Sequence, residues 1–312
     1  MRRLAVAFVV QGEGRGHMTQ ALALAGFLRA AGHEIAVAFV GVSPFRSVPD
    51  YFSTALAAPL ETFDAPTQVP GRDARGVSAG RTTADALARL PKFVAAGRRI
   101  HRATEQVDVV VNFLDLVGGL SRVVFRTRTP AVAIAHNYVF LHPELAGAPG
   151  SPLSRSAVLA YARATAGRAD MRVALSFGPL PTDPSRRLLV APPLLRPEVE
   201  RLSPRNDGYL LAYALNSGYG DLLAEWQRRH PDVTVHCYVD GGRAALRADL
   251  GEGFHAHALS ADAFLAHLAG CRAYVGSAGF ESVCEALHLG KPAFVVPTEG
   301  QLEQVLNAWD AR

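Results

Sequence analysis

Cysteine, lysine and long apolar runs are scarce in this chain, and each shortage removes a class of protein. Three cysteines, Cys237, Cys271 and Cys284, occur in 312 residues. The number is odd and the spacing fits no zinc motif, so the thiols are expected to be buried in a reducing compartment. No apolar run approaches the ~20 residues that a bilayer-spanning helix needs. Met1-Arg2-Arg3 leads straight into a strand-like stretch without a small-residue cleavage site, so no signal peptide is expected and the location reads as cytoplasmic. No pair of neighbouring carboxylates marks a divalent-metal site, and neither a metal nor a cofactor is expected. Lysine is confined to Lys92 and Lys291, so the basic charge is nearly all arginine.

What is present is an ordinary globular composition, 49% hydrophobic and 19% charged, which excludes a disordered chain. The length suits two domains, each able to bury its own core. Strand-like runs at 4–10, 34–40, 107–113, 130–135 and 172–175 alternate with helical stretches such as 84–104 and 154–166. Prolines at 192, 193 and 197 then interrupt the pattern, and Ser203-Pro204-Arg205-Asn206-Asp207-Gly208 reads as a linker. The alternation restarts with strands at 209–215 and 233–239 and helices at 220–229 and 261–268. The reading is an α/β chain with parallel sheets in both halves: 1–190 as one domain, 191–207 as linker and 208–312 as the other. The segment 44–79, rich in Pro, Gly, Ala and Asp, is the least regular.

Two segments carry chemistry. From 273 onward a short strand ends in small residues, and Gly279 opens a helix on which Phe280, Val283 and Leu287 fall at core-facing spacing. Gly290 and Pro292 stop that helix, and a second strand and a polar loop follow. A helix that starts at the end of a strand aims unpaired N–H groups and the positive end of its dipole at one spot, where an anion can sit. Near the N-terminus, Gln11-Gly12-Glu13-Gly14-Arg15-Gly16 links a strand to a helix that starts at His17. A dinucleotide-binding reading of that loop needs an acidic residue at the end of the next strand. This strand ends Phe39-Val40-Gly41-Val42-Ser43, so that reading fails.

Taken together, Ser277, Gly279, Ser282 and Glu285, then Gly290-Lys291-Pro292, Glu303-Gln304 and Asn307-Ala308, resemble the donor signature of nucleotide-sugar glycosyltransferases of the GT-B fold. The N-terminal loop is similar to the G-x-G-H turn of the same enzymes. The likeness is to the lipid II N-acetylglucosaminyltransferase and diacylglycerol galactosyltransferase group, and to a bacterial and archaeal branch of it. The resemblance implies two Rossmann-like domains with parallel sheets facing across a cleft, the N-terminal one for the acceptor and the C-terminal one for the donor. It implies that Ser277, Gly279, Phe280 and Ser282 line the diphosphate of a UDP-sugar, that Glu285 takes the ribose hydroxyls, and that Glu303 and Gln304 reach the sugar. Gly14 and Gly16 in the first loop, and Asn216, Ser217 and Gly218 after the first strand of the second domain, would add N–H groups. Leu259 falls where the family holds the nucleobase through its backbone. Relatives continue past the Asn-Ala pair, so the second domain is expected to be shortened after Asp310-Ala311.

Displacing a nucleoside diphosphate needs a base for the acceptor hydroxyl and charge stabilisation for the leaving group. His17, at a helix N-terminus, is kept neutral by the dipole and suits the first task, with inversion at the sugar. Asp115, at the end of a strand, reads equally as the acid that orients His17 or as a cap of the next helix. His136, Asn137, Tyr138 and His142 read as acceptor contacts, with His136 as reserve base. Glu281 would repel a diphosphate, so its side chain is expected to turn aside or cap the helix. A nucleotide-sugar hydrolase or epimerase, or a non-catalytic nucleotide-sugar-binding protein, would carry the same donor signature.

Charge divides unevenly. Residues 1–190 hold 22 Lys and Arg against 13 Asp and Glu, a balance of +9, and residues 191–312 hold 10 against 15, a balance of −5. The surplus points to an acceptor that is lipid-borne or anionic. Lys92, Arg98, Arg99 and Arg102 with Phe93, Val94 and Ile100 could form a basic amphipathic face for peripheral contact with an anionic membrane, or simply a solvated helix face. Nucleic acid is not expected as a partner, because the basic residues are scattered and not interleaved with stacking aromatics.

Overall fold

Valine- and alanine-rich runs make the central strands of this protein. The structure, a computed structural model, describes residues 2–13, 15–43, 47–67, 69, 79–214 and 217–311. The chain divides into two units, Met1–Gln68 with Ala79–Arg196, and Val69–Ser78 with Pro197–Arg312.

The first unit contains β1 (Ala5–Gln11), α1 (Arg15–Ala30), β2 (Glu34–Val42), α2 (Asp50–Leu56), β3 (Leu60–Asp64), α3 (Ala79–Ala88) and α4 (Leu90–Thr104). It continues with β4 (Val109–Phe113), α5 (Leu116–Val124), β5 (Ala131–Ala135), α6 (Pro152–Ala166), β6 (Met171–Leu175) and β7 (Leu188–Ala191). Its strands form one parallel sheet in the order β3-β2-β1-β4-β5-β6-β7. Val6 to Val10 are all buried, as a central parallel strand with helices on both faces requires. The second unit contains α7 (Pro197–Glu200), β8 (Leu210–Ala214), α8 (Ser217–Arg228), β9 (Val235–Val239), β10 (Phe254–His257) and α9 (Ala261–Gly270), then β11 (Ala273–Ser277), α10 (Phe280–His288), β12 (Ala293–Val296) and α11 (Leu302–Asp310). Its parallel sheet runs β10-β9-β8-β11-β12 around a core of Ala212, Val235, Cys237, Val239 and Leu246. In each sheet the chain order reverses once, between β1 and β4 and between β8 and β11. Such switch points are where α/β sheets open a crevice at their carboxyl ends.

Several expectations need correction. The helix anticipated over 84–104 is broken at Arg89, because Pro91 in the first turn of α4 has no N–H to extend the preceding helix. The segment 44–79 is not irregular throughout, since α2 and β3 lie within it. β7 extends the first sheet to Ala191, and the unit boundary at Arg196/Pro197 falls within the segment 191–207. On α10, Leu287 is 47% exposed, while Cys284 and Ala286 join Phe280 and Val283 in the core. The amphipathic face of α4 is also spent: Phe93, Ala96 and Ile100 pack with Val9, Phe39 and Val110. Lys92 pairs with Asp64 at 3.2 Å and Arg99 with Glu61 at 3.3 Å. Burying a side chain such as Phe93 is worth about 1.5–3 kcal/mol, so this face is not available to a membrane. All three cysteines are free and buried.

Candidate active site

The first switch point brings together the turns that follow β1 and β4, since these strands are parallel neighbours with Val10 opposite Phe113. Gly12 donates its N–H to the Gly41 carbonyl at 2.9 Å, and a Cβ there would come within 2.2 Å of that oxygen. This glycine is therefore needed to let β1 leave the sheet beside β2. Gly14 lies outside the described residues. α1 begins at Arg15, two residues before the expected start, which places Gly16 and His17 in its first turn. The half-buried His17 ring makes a long contact, 3.5 Å, from Nδ1 to Gln20 Oε1. Burial lowers its pKa to about 4, and Gln20 opposes the shift only in part. At neutral pH the imidazole is uncharged and able to accept a proton.

Asp115 is placed at the same sheet edge but has another task. It is 1% exposed and N-caps α5, with Oδ1 accepting the Gly118 N–H at 2.6 Å. Asn112 Oδ1 accepts the Asp115 N–H at 2.9 Å, and Leu114 takes the left-handed φ of 56° to make the turn. Burial raises the Asp115 pKa to about 7, against the stabilising backbone hydrogen bonds. Of the two roles open to it, the geometry carries the cap. The His17 ring has Gln20 as its side-chain partner.

The residues expected to meet the acceptor turn inward. His136, Asn137, Tyr138 and His142 are all buried, on or just after the 3-10 turn His136–Leu141. His136 Nδ1 bonds the Leu175 carbonyl at 2.7 Å, and the Tyr138 hydroxyl lies 3.2 Å from Thr165 Oγ1. His142 is used at both nitrogens: Nε2 donates to the Pro181 carbonyl at 2.9 Å and Nδ1 accepts from Glu144 N–H at 3.3 Å. These side chains hold loops in place. That is a correction for His142 in particular, whose two ring nitrogens are both spent, while the Tyr138 hydroxyl is used within the buried core.

On the donor side, α8 and α10 start at the carboxyl ends of neighbouring strands β8 and β11. Asn216 lies outside the described residues, and Ser217 and Gly218 form the first turn of α8. Gly279 is the N-cap of α10 without a side-chain cap, and an added Cβ would meet nothing within 4 Å. Open volume thus lies beside the N-cap of α10, at the positive end of its dipole. Ser277 ends β11, half-buried, while Phe280 is buried behind the helix start. Ser282 Oγ accepts a 2.8 Å hydrogen bond from Tyr274. Glu285 is 2% exposed, whereas Glu281 is half-buried in the first turn. Leu259 lies between β10 and Ser260, the N-cap of α9. Glu303 and Gln304 sit in the first turn of α11. The Gln304 amide is already occupied, accepting from Thr298 N–H at 2.8 Å and donating to Gln301 Oε1 at 2.7 Å. Asn307 ties α11 to the turn before α10 by donating to the Ala278 carbonyl at 2.9 Å. Lys291 faces inward: its buried ammonium donates to the Arg205 carbonyl and, at 2.9 Å, to that of Cys271.

A family model described as Glycosyl transferase family 1 matches residues 4–310. The chain belongs to this family. No protein of curated function matches the sequence significantly. The glycotransferase of kitacinnamycin is structurally similar with a TM-score of 0.63 at 18% identity, over 100% of this chain and 84% of that one. MurG of Acinetobacter baumannii gives 0.54 at 17% identity, over 98% and 83%. Arabidopsis thaliana UGT89C1, solved with UDP-L-rhamnose, gives 0.58 at 14% identity, over 99% and 82%. The two parallel sheets and these neighbours make the fold GT-B, and the protein is a glycosyltransferase.

One feature of this glycosyltransferase was not anticipated. His236, His257 and His267 of the second unit meet, each offering a ring nitrogen within 4.8 Å of the others. The expectation of no metal site rested on carboxylates and cysteines alone. The alternation His255-Ala256-His257 on one strand was the available signal, but only strand pairing and α9 bring His236 and His267 to it.

Proposed function

We propose that the protein transfers a sugar from a UDP-sugar to an acceptor hydroxyl with inversion, His17 serving as general base. The observation that carries this reading is the His17 ring, held in the first turn of α1 at a sheet switch point with its proton affinity depressed. A base must be deprotonated when substrate arrives, and this ring is. Gln20 orients it, and Asp115 shapes the adjoining turn.

On the donor side the uncapped start of α10 receives the diphosphate, and its N–H groups and dipole stabilise the leaving charge without a bound metal. Glu285 binds the ribose hydroxyls. The UDP-L-rhamnose complex of UGT89C1 favours a uridine donor. Among the described residues no helix is long and apolar enough to cross a membrane.

The test is His17→Ala assayed against a panel of nucleotide sugars. Turnover should fall by roughly 10²–10⁴-fold, the range for losing a general base, with UDP affinity nearly unchanged. Near-normal turnover would remove His17 from the chemistry.

A further inference from the structure

Parallel pairing sets His236 beside His255 and Tyr238 beside His257, so β9 and β10 present histidine and tyrosine side by side on one face. α9 supplies His267 to the same cluster. Its ring centroid lies 4.3 Å from that of His236 and 5.0 Å from that of His257, while the His236 and His257 rings are stacked 8° from parallel at 5.1 Å. His236 Nδ1 and His257 Nε2 are 2.9 Å apart, a contact that holds only if one proton lies between them.

We propose that His236, His257 and His267 bind one divalent transition-metal ion of the zinc class, at a site separate from the phosphate turn. Imidazole nitrogen suits zinc, copper, nickel and iron, and the set contains no carboxylate that would favour calcium or magnesium. With metal–nitrogen bonds of about 2.0–2.1 Å, tetrahedral ligands stand about 3.3 Å apart, a distance that small side-chain rotations reach from the observed arrangement. The cation enters between His236 Nδ1 and His257 Nε2 once the proton they share has shifted to the other nitrogen of its own ring, so that both rings ligate as neutral imidazoles. The Tyr238 hydroxyl is 2.7 Å from His267 Nδ1. When Nδ1–H donates to it, Nε2 carries the free lone pair, the outer-partner arrangement that usually fixes a metal-bound histidine. All three rings are half-buried. Such an ion would pin the edge strand β10 and the Leu259–Ser260 turn to β9 and α9.

The experiment uses the untagged full chain, stripped with chelator and titrated with Zn²⁺ by calorimetry. One ion per chain is expected, with a rise in Tm. His257→Gln and His267→Gln should each weaken binding by about 100-fold or more, and Tyr238→Phe by about 10-fold, as outer partners do. His255→Gln, outside the ligand set, should bind like the wild type. Substoichiometric binding by the wild type, or unchanged affinity in both ligand variants, overturns the site. Should the variants fail to fold, the Co²⁺ spectrum of the wild type decides: intense d–d bands of a tetrahedral nitrogen site support it, and a weak octahedral spectrum overturns it.

Discussion

At the residue scale, two ionisable groups at one sheet edge, half-buried His17 and buried Asp115, are shifted in opposite directions, and pH separates them. His17 is depressed from 6.5 to about 4, so the folded state binds fewer protons than the unfolded state across that window. Its contribution to stability is present above pH 6.5 and is lost as pH falls towards 4. In the rate profile, the acidic limb assigned to the base should then lie near pH 4, well below the usual histidine range. A limb near 6.5 in kcat/KM would contradict the buried environment. Asp115 is raised from 3.8 to about 7, so its folded state binds more protons, and stability is lost as pH rises through that interval. Asparagine caps a helix as well as aspartate does. Asp115→Asn should therefore keep turnover within a few-fold and flatten the pH dependence of urea stability between pH 4 and 8. Loss of turnover by 10²-fold or more in a folded Asp115→Asn protein would restore its role as the partner of His17.

At the element scale, α5 and α6 approach so closely that glycine is required on both sides. A Cβ on Gly119 would come 2.3 Å from the Thr165 carbonyl oxygen, and one on Gly167, at φ 54°, would come 2.2 Å from the Gly119 oxygen. Both obstacles are backbone and cannot swing aside. Gly119→Ala should cost about 1–3 kcal/mol, the range for overpacking, and a urea midpoint equal to that of the wild type would show that the helices can part cheaply. Periodicity made most elements legible, because helices and strands bury their faces at 3.6 and 2 residues. It left the face of α4 open: a basic amphipathic pattern is the same whether its apolar side meets a membrane or a sheet, and Phe93 and Ile100 meet the sheet. Lys291, part of the Gly-Lys-Pro motif, likewise carried no sequence mark of the two carbonyls it satisfies inside the fold.

At the scale of the whole molecule, each unit has its own sheet and core, and of the described residues expected to meet the donor all but Gly16 fall in the second. Calorimetry should resolve two thermal transitions, with UDP raising only that of the second unit. Glu285→Ala should remove about 1.5–3 kcal/mol of that stabilisation, the worth of hydrogen bonds to a charged group, while Glu281→Ala should leave it. Equal losses from both would mean that the ribose lies elsewhere. The basic surplus of the first half also has a place that charge counting could not give. Arg122, Arg128, Arg168, Arg172, Arg186 and Arg187 line a cavity of 570 Å³ by the amino-terminal ends of β5, β6 and β7, away from the carboxyl edge that carries His17. The sequence by itself determined the parallel α/β architecture and the donor motif, because strand-turn-helix order and small residues at helix starts are local properties of the chain. Only the tertiary structure decided that Asp115 caps, that Tyr138 and His142 turn inward, and that three histidines converge, because burial and contact between distant residues depend on which strands pair and which helix covers them.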